Sequence, residues 1–281
     1  MGRITGRPVG RPAVAKQERG SLADSTRPSR WRTRRPLSLA AWVCIVVVYP
    51  TAHLMFRVRA RHGQRIPDRG PVLLVANHVS ILDPLACGLM IFMHGRFPHF
   101  LAKESVFTGF AGTLLRGAGQ IPVKRHTKDA HEALDAARAD LDAGNLVVIY
   151  PEGSVTRDPG WWPMQPSTGA ARLALITDAV VVPVAQWGPQ EVHDYHRKKL
   201  RLRFRARADY FVGEPIDLDA QRRELRSGRP LTAELLRETS DLMMTRVRDQ
   251  LAELRNEPAP LTFAPRPSAG QPHDSAPGSA A

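Results

Sequence analysis

Charged and apolar residues are sharply segregated along this chain. Leu37 to Tyr49 reads LSLAAWVCIVVVY, and the uncharged run continues past Pro50 and His53 to Phe56. As a helix, Leu37–Phe56 would be about 30 Å long at ~1.5 Å per residue, close to the hydrocarbon thickness of a bilayer. Pro50 and His53 weaken its far end. Basic residues flank it on both sides, Arg34 and Arg35 before it and Arg57, Arg59, Arg61, Arg65 and Arg69 after it. A single-pass span favours Lys/Arg on one side only, so the pattern predicts a helix that enters one leaflet and stays on the cytoplasmic face. A single-pass span and a buried N-terminal helix of the globular domain are the alternatives. A cleavable signal peptide is disfavoured, because the run begins too late and no clean small-residue cleavage site follows it.

Beyond this segment the pattern alternates. Val72–Ala76 (VLLVA), Leu146–Tyr150 (LVVIY) and Val180–Ala185 (VVVPVA) are short β-branched runs that predict buried strands, the last near an edge or bulge because of Pro183. Phe100–Ala102 and Ile121–Val123 are weaker strand candidates, and Arg201–Val212 alternates charged and apolar residues as a half-exposed strand does. Helices are predicted over Pro84–Met93, over Lys128–Ala143 with Thr127 as N-cap and Gly144 after it, over Gly169–Asp178, and over Thr232–Arg255. Strands and helices in this order specify an α/β fold, a mixed sheet covered by helices on both faces. The chain divides into a basic arm (1–36), the apolar membrane-associated helix (37–60), the αβ domain (61–256) and a Pro/Ala-rich tail (257–281).

Composition sharpens the two ends. The 281 residues carry a net charge of +13. Residues 1–36 hold ten Lys/Arg against two Asp/Glu, so +8 sits on the arm and +5 on the rest. An arm rich in Pro, Gly, Ser and Arg, without apolar periodicity, is expected to be disordered alone and to favour an anionic membrane surface. A nucleic-acid binder would also be basic, but it predicts cations interleaved with exposed aromatics, and aromatics are only 6% here. Cys44 and Cys87 are too few for a disulfide framework or a four-thiolate zinc site, and both read as buried thiols. The ten histidines show no metal-ligand spacing, so neither metal nor cofactor is expected.

The chemistry-bearing residues cluster at predicted strand ends, where α/β sheets place their ligands. Asn77-His78-Val79-Ser80-Ile81-Leu82-Asp83-Pro84 follows the first strand. Asp83, before a proline, suits a helix cap; if the loop turns back, its carboxylate instead meets the His78 imidazole and favours the protonated ring. Lys124-Arg125 ends a second strand and reads as a phosphate-binding pair or a solvated surface pair. Glu152-Gly153-Ser154 ends a third, with Gly153 permitting close backbone approach to a ligand. There is no Gly-x-Ser-x-Gly elbow, which disfavours Ser80 or Ser154 as a covalent nucleophile. Trp161 and Trp162 suit either a membrane interface or ordinary packing.

The set NHVSILDP, GQIPVKR, YPEGS and VVPVA, in that order, resembles the 1-acyl-sn-glycerol-3-phosphate acyltransferase family of bacterial type, within the glycerol-phosphate acyltransferase superfamily. The likeness runs from about Leu73 to Pro215 and lies in the combination of motifs, including the N-H-x-x-x-x-D signature. It implies an αβ domain with an N-terminal membrane-docking helix. It implies His78 as general base assisted by Asp83, and Asn77, Lys124, Arg125, Glu152, Gly153 and Ser154 on the substrate side, with the two cations on the acceptor phosphate. It implies acyl transfer from acyl-CoA or acyl carrier protein to lysophosphatidic acid on the cytoplasmic face of the cell membrane. Two departures stand out. Gly153 is followed by Ser-Val-Thr-Arg rather than Thr-Arg, and Pro166-Ser167-Thr168 replaces the lysine that often precedes the GAARLAL helix. A sister enzyme acting on another lysophospholipid or a glycolipid, and a non-enzymatic membrane or nucleic-acid binder, are the rival readings.

Overall fold

A computed structural model describes residues 38–123 and 130–266. The elements in chain order begin with α1 (Leu39–Met55), β1 (Phe56–Arg61), β2 (Val72–Ala76), α2 (Asp83–Met93), β3 (Pro98–Lys103) and α3 (Gly109–Gly117). They continue with β4 (Ile121–Val123), α4 (Ala130–Asp142), β5 (Leu146–Ile149), α5 (Gly169–Ile176), β6 (Val180–Trp187) and α6 (Pro189–Val192). The short β7 (His193–Asp194) and β8 (Lys199–Leu200) form a separate two-stranded hairpin, followed by β9 (Ala206–Val212), α7 (Asp219–Arg226) and α8 (Ala233–Arg255).

The main sheet has the order β1-β9-β6-β2-β5-β3-β4. Neighbours run parallel except at β6 and β9, so the sheet is mixed, as the sequence predicts. β2 lies at its centre, and all five residues are buried because both faces are covered. Its side chains divide by the period of two. Val72, Leu74 and Ala76 join one core with α2 residues Ala86, Cys87 and Met90, while Leu73 and Val75 join the other with α4, α5 and α8 residues such as Leu141, Leu173 and Met243. α8 starts where Thr232 Oγ1 accepts the Leu235 N–H (3.2 Å) and ends at Asn256, whose φ of 56° stops the helix. Residues 257–266, expected within the tail, lie along the domain instead. Ala264 bridges to Met164, and Arg248 stacks on Phe263.

Three predicted elements and one predicted thiol change. The apolar helix is 17 residues, Leu39–Met55, rather than the whole run to Phe56. Phe56 begins β1, paired with Ala206 of β9, a partner 150 residues away that local pattern cannot reveal. At ~1.5 Å per residue α1 is about 26 Å long, short of a ~30 Å hydrocarbon core, and among the described residues no helix is long and apolar enough to cross a membrane. Cys44 on α1 is half-buried; only Cys87 is fully buried. Pro183 lies on an interior strand, but the β6–β9 ladder begins at Val184, so its missing N–H costs no rung there. The strand expected from Arg201 starts only at Ala206, because α1 ends at Met55 and β1 has no residue opposite Arg201–Arg205. The N-cap at Thr127 lies outside the described residues, as do the arm 1–36 and residues 267–281.

Candidate active site

The parallel strands β2, β5 and β6 end on one edge of the sheet, and the polar residues following them meet there. His78 stands two residues past β2. Its Nδ1 lies 2.8 Å from Asp83 Oδ2. The same oxygen accepts the backbone N–H of Val79 (2.6 Å) and of Ser80 (2.9 Å), so Asp83 folds the loop around itself and aims at the ring. Asp83 is thus not a cap of the following helix; it opens α2, with Leu82 before it and Pro84 after it. Asp83 is fully buried, and its Oδ1 meets no donor among the described residues. Burial pushes its carboxyl above the usual range, opposed by the hydrogen bond from His78 and those from the loop N–H groups. With Nδ1 held on a carboxylate, Nε2 is the nitrogen left to take a proton. The His78 side chain keeps 12% of its surface exposed, enough for a substrate to reach it.

Three further contacts hold the ring's backbone and plane. The His78 N–H donates to Glu152 Oε1 (2.8 Å), the His78 carbonyl accepts the Thr156 N–H (2.7 Å), and the Tyr150 ring stacks on the imidazole at 4.3 Å. Glu152 Oε2 accepts the Met164 N–H (2.9 Å). Burial raises the Glu152 carboxyl to about 8, against the pull of these two N–H donors. Glu152 therefore braces two backbone segments, whereas the sequence pointed to it as a substrate contact. Asn77 is held by backbone partners in the same way. Its side-chain amide donates to the Gln186 carbonyl (3.1 Å) and accepts the Gln186 N–H (2.8 Å), and Gln186 Nε2 donates to the Asn77 carbonyl (2.5 Å). Its polar atoms clamp β2 to β6.

Gly153 turns at φ 74° with no atom within 4 Å of where a Cβ would stand, leaving open space over the turn, and Ser154 beside it is half-exposed. Ser80, by contrast, is buried and donates its hydroxyl to the His193 carbonyl (3.0 Å), a structural tie between the dyad loop and the β7 hairpin. β4 runs parallel to β3 and ends at Val123 on this same edge. The next residues, Lys124 and Arg125, lie outside the described residues. Trp162 packs on Arg255, whose guanidinium stands 4.3 Å from the ring centres of Trp162 and Trp187, and Trp161 stacks on His196 at 3.9 Å. Sequence reasoning missed Tyr150 as the platform under His78 and Gln186 as the clamp. Tyr150 carried one usable signal, its place as the last residue before a strand-end turn.

Residues 57–187, which contain His78, Asp83 and Glu152, match the Acyltransferase family model. The 1-acyl-sn-glycerol-3-phosphate acyltransferase alpha of Bos taurus is 30% identical over 162 residues, 57% of this chain and 54% of that one. The human alpha enzyme is 31% identical over 147 residues, 52% of this chain and 50% of that one. The chain thus spans about half the length of the curated relatives it matches. The crystal structure of the 1-acyl-sn-glycerophosphate acyltransferase of Thermotoga maritima superposes with a TM-score of 0.56, covering 78% of this chain and 83% of that one at 21% identity, a likeness of fold. Residues 57–187, the stretch that holds His78, Asp83 and Glu152, are thus similar to the Acyltransferase family.

Proposed function

We propose that this chain transfers a fatty acyl group from an acyl thioester to the free hydroxyl of 1-acyl-sn-glycerol 3-phosphate, giving phosphatidic acid in phospholipid biosynthesis. The observation that carries the reading is the 2.8 Å contact of His78 Nδ1 with an Asp83 oxygen that two loop N–H groups also hold. His78 Nε2 takes the proton of the acceptor hydroxyl as its oxygen attacks the thioester carbonyl. The tetrahedral adduct collapses, the C–S bond breaks, and the proton on His78 passes to the departing thiolate. Asp83 supports the transient imidazolium. A positioned base supplies on the order of 10²–10⁴-fold, and the remainder must come from holding acceptor and donor together. Lys124 and Arg125, next in sequence after β4, are the proposed phosphate clamp.

The donor is acyl-CoA or acyl-acyl carrier protein, without cofactor or metal. The enzyme works on the cytoplasmic face of the cell membrane, docked through α1 and the basic arm. Leu39, Val46, Val47 and Leu54 of α1 are exposed, and a helix apolar on all sides needs an apolar environment. The test is a panel of lysolipids offered with coenzyme A and acyl carrier protein thioesters and read by product mass. Phosphatidic acid as the main product is expected; acylation of another lysolipid in its place would contradict the acceptor assignment.

A further inference from the structure

From Arg197, through β8 and into the start of β9 at Arg207, the chain reads RKKLRLRFRAR, seven cations and no acid in eleven residues. As a half-buried strand this segment would hide its apolar side. It does the opposite. Leu200, Leu202 and Phe204 are 58%, 80% and 76% exposed, and the backbone from Arg201 to Arg205 pairs with no strand of the main sheet. Isolated exposed apolar residues are ordinary, but here three fall within five residues, alternating in sequence with arginines.

The segment is anchored at both ends, and the anchors give it a meaning. On one side the Arg205 N–H donates to the carbonyl of Leu54, near the end of α1, at 2.9 Å. On the other the Arg201 N–H donates to the Val192 carbonyl (2.7 Å), and the next residue, His193, holds the Ser80 hydroxyl of the dyad loop. His196 Nε2 lies 2.9 Å from the carbonyl of Thr156, whose N–H holds the His78 carbonyl. The arm is therefore strung between the rim of the His78 site and the exposed apolar helix α1. α3 packs beside α1, where Ser38 Oγ donates to the Gly117 carbonyl, and adds Phe110, 84% exposed.

We propose that Lys199–Arg205 is a second membrane-inserting element, separate from α1. It seats Leu200, Leu202 and Phe204 at the headgroup–acyl boundary of an anionic bilayer, sets its arginines on lipid phosphates, and turns the site mouth toward the lipid. The inference rests on the lipid-acylating function proposed above. Charge selects the occupant. A second copy of this chain on the same face would set cationic arm against cationic arm across a two-fold axis. An anionic lipid surface meets both halves of the segment at once, apolar side chains below the phosphates and arginines among them.

The test is Phe204→Trp in the full chain, mixed with vesicles of phosphatidylglycerol and phosphatidylcholine in equal parts whose acyl chains carry bromine. Emission in excess of the parent's is expected to be quenched in these vesicles and not in pure phosphatidylcholine. An unquenched excess, with the protein bound or with no binding at all, overturns the proposal. A second variant, Leu200→Ser/Leu202→Ser/Phe204→Ser, alters only exposed side chains. It is expected to weaken affinity for the anionic vesicles by about tenfold or more, with turnover of monomeric short-chain substrates unchanged. Equal loss on monomeric substrates would place the arm in the site instead. Loss of a dimer in light scattering with vesicle binding intact would assign the face to a second copy. Either outcome overturns the proposal, while turnover by the parent chain on short-chain substrates tests the acyltransferase reading separately.

Discussion

Glu152 is buried yet carries a carboxyl that burial raises to about 8. A carboxyl raised above its unfolded value binds more protons in the folded chain than in the unfolded one. Its contribution to stability is full below the unfolded value, near 4.5, and is lost as pH rises toward about 8. Asp83, also raised by burial, acts with the same sign. Unfolding free energy is therefore expected to fall with rising pH through this window, and Glu152→Gln to flatten the fall; an unchanged slope in urea titrations at several pH values would refute the assignment. At this scale the sequence was partly legible. His78 and Asp83 are five residues apart in a strand-end loop, so their chemistry and their proximity are both local. Asn77 and Glu152 stand in the same motifs, but the sequence does not say which way a polar side chain points. Each turns inward to a backbone partner, Asn77 to Gln186 and Glu152 to His78 and Met164, across 109, 74 and 12 residues.

Elements were legible where their causes are local. Val72–Ala76 is apolar at every position and lies at the centre of the sheet, and Thr232 caps α8 where a capping residue precedes a periodic run. Thr232→Ala removes the bond to the Leu235 N–H and is expected to lower stability by about 1 kcal/mol, read in equilibrium urea unfolding. No change would mean that packing alone sets the start of α8. Elements failed where a distant partner decides. The boundary of α1 falls at Met55 because Phe56 pairs with Ala206, and the same pairing starts β9 only after Arg201, Arg203 and Arg205. Leu202 and Phe204, past β8, alternate with arginines in sequence but join no strand of the main sheet.

On the scale of the whole molecule, the two-sided αβ sandwich positions the edge that carries His78 and Asp83, and exposed apolar residues stand on α1, α3 and the Lys199–Arg205 arm. The charge divides accordingly, +8 on residues 1–36 and +5 on the remainder. Removing residues 1–36 is expected to weaken sedimentation with anionic vesicles, more so at low salt, while leaving turnover of soluble short-chain substrates within about twofold. A loss of soluble turnover as large as the loss of vesicle binding would show that the arm serves the site itself.

The central claim is that His78, held by Asp83, is the base of a direct acyl transfer. The most direct measurement is the turnover of His78→Ala with lysophosphatidic acid and an acyl thioester. It should fall on the order of 10²–10⁴-fold or more, with the fold intact by circular dichroism. Turnover near the parent's level would contradict the account.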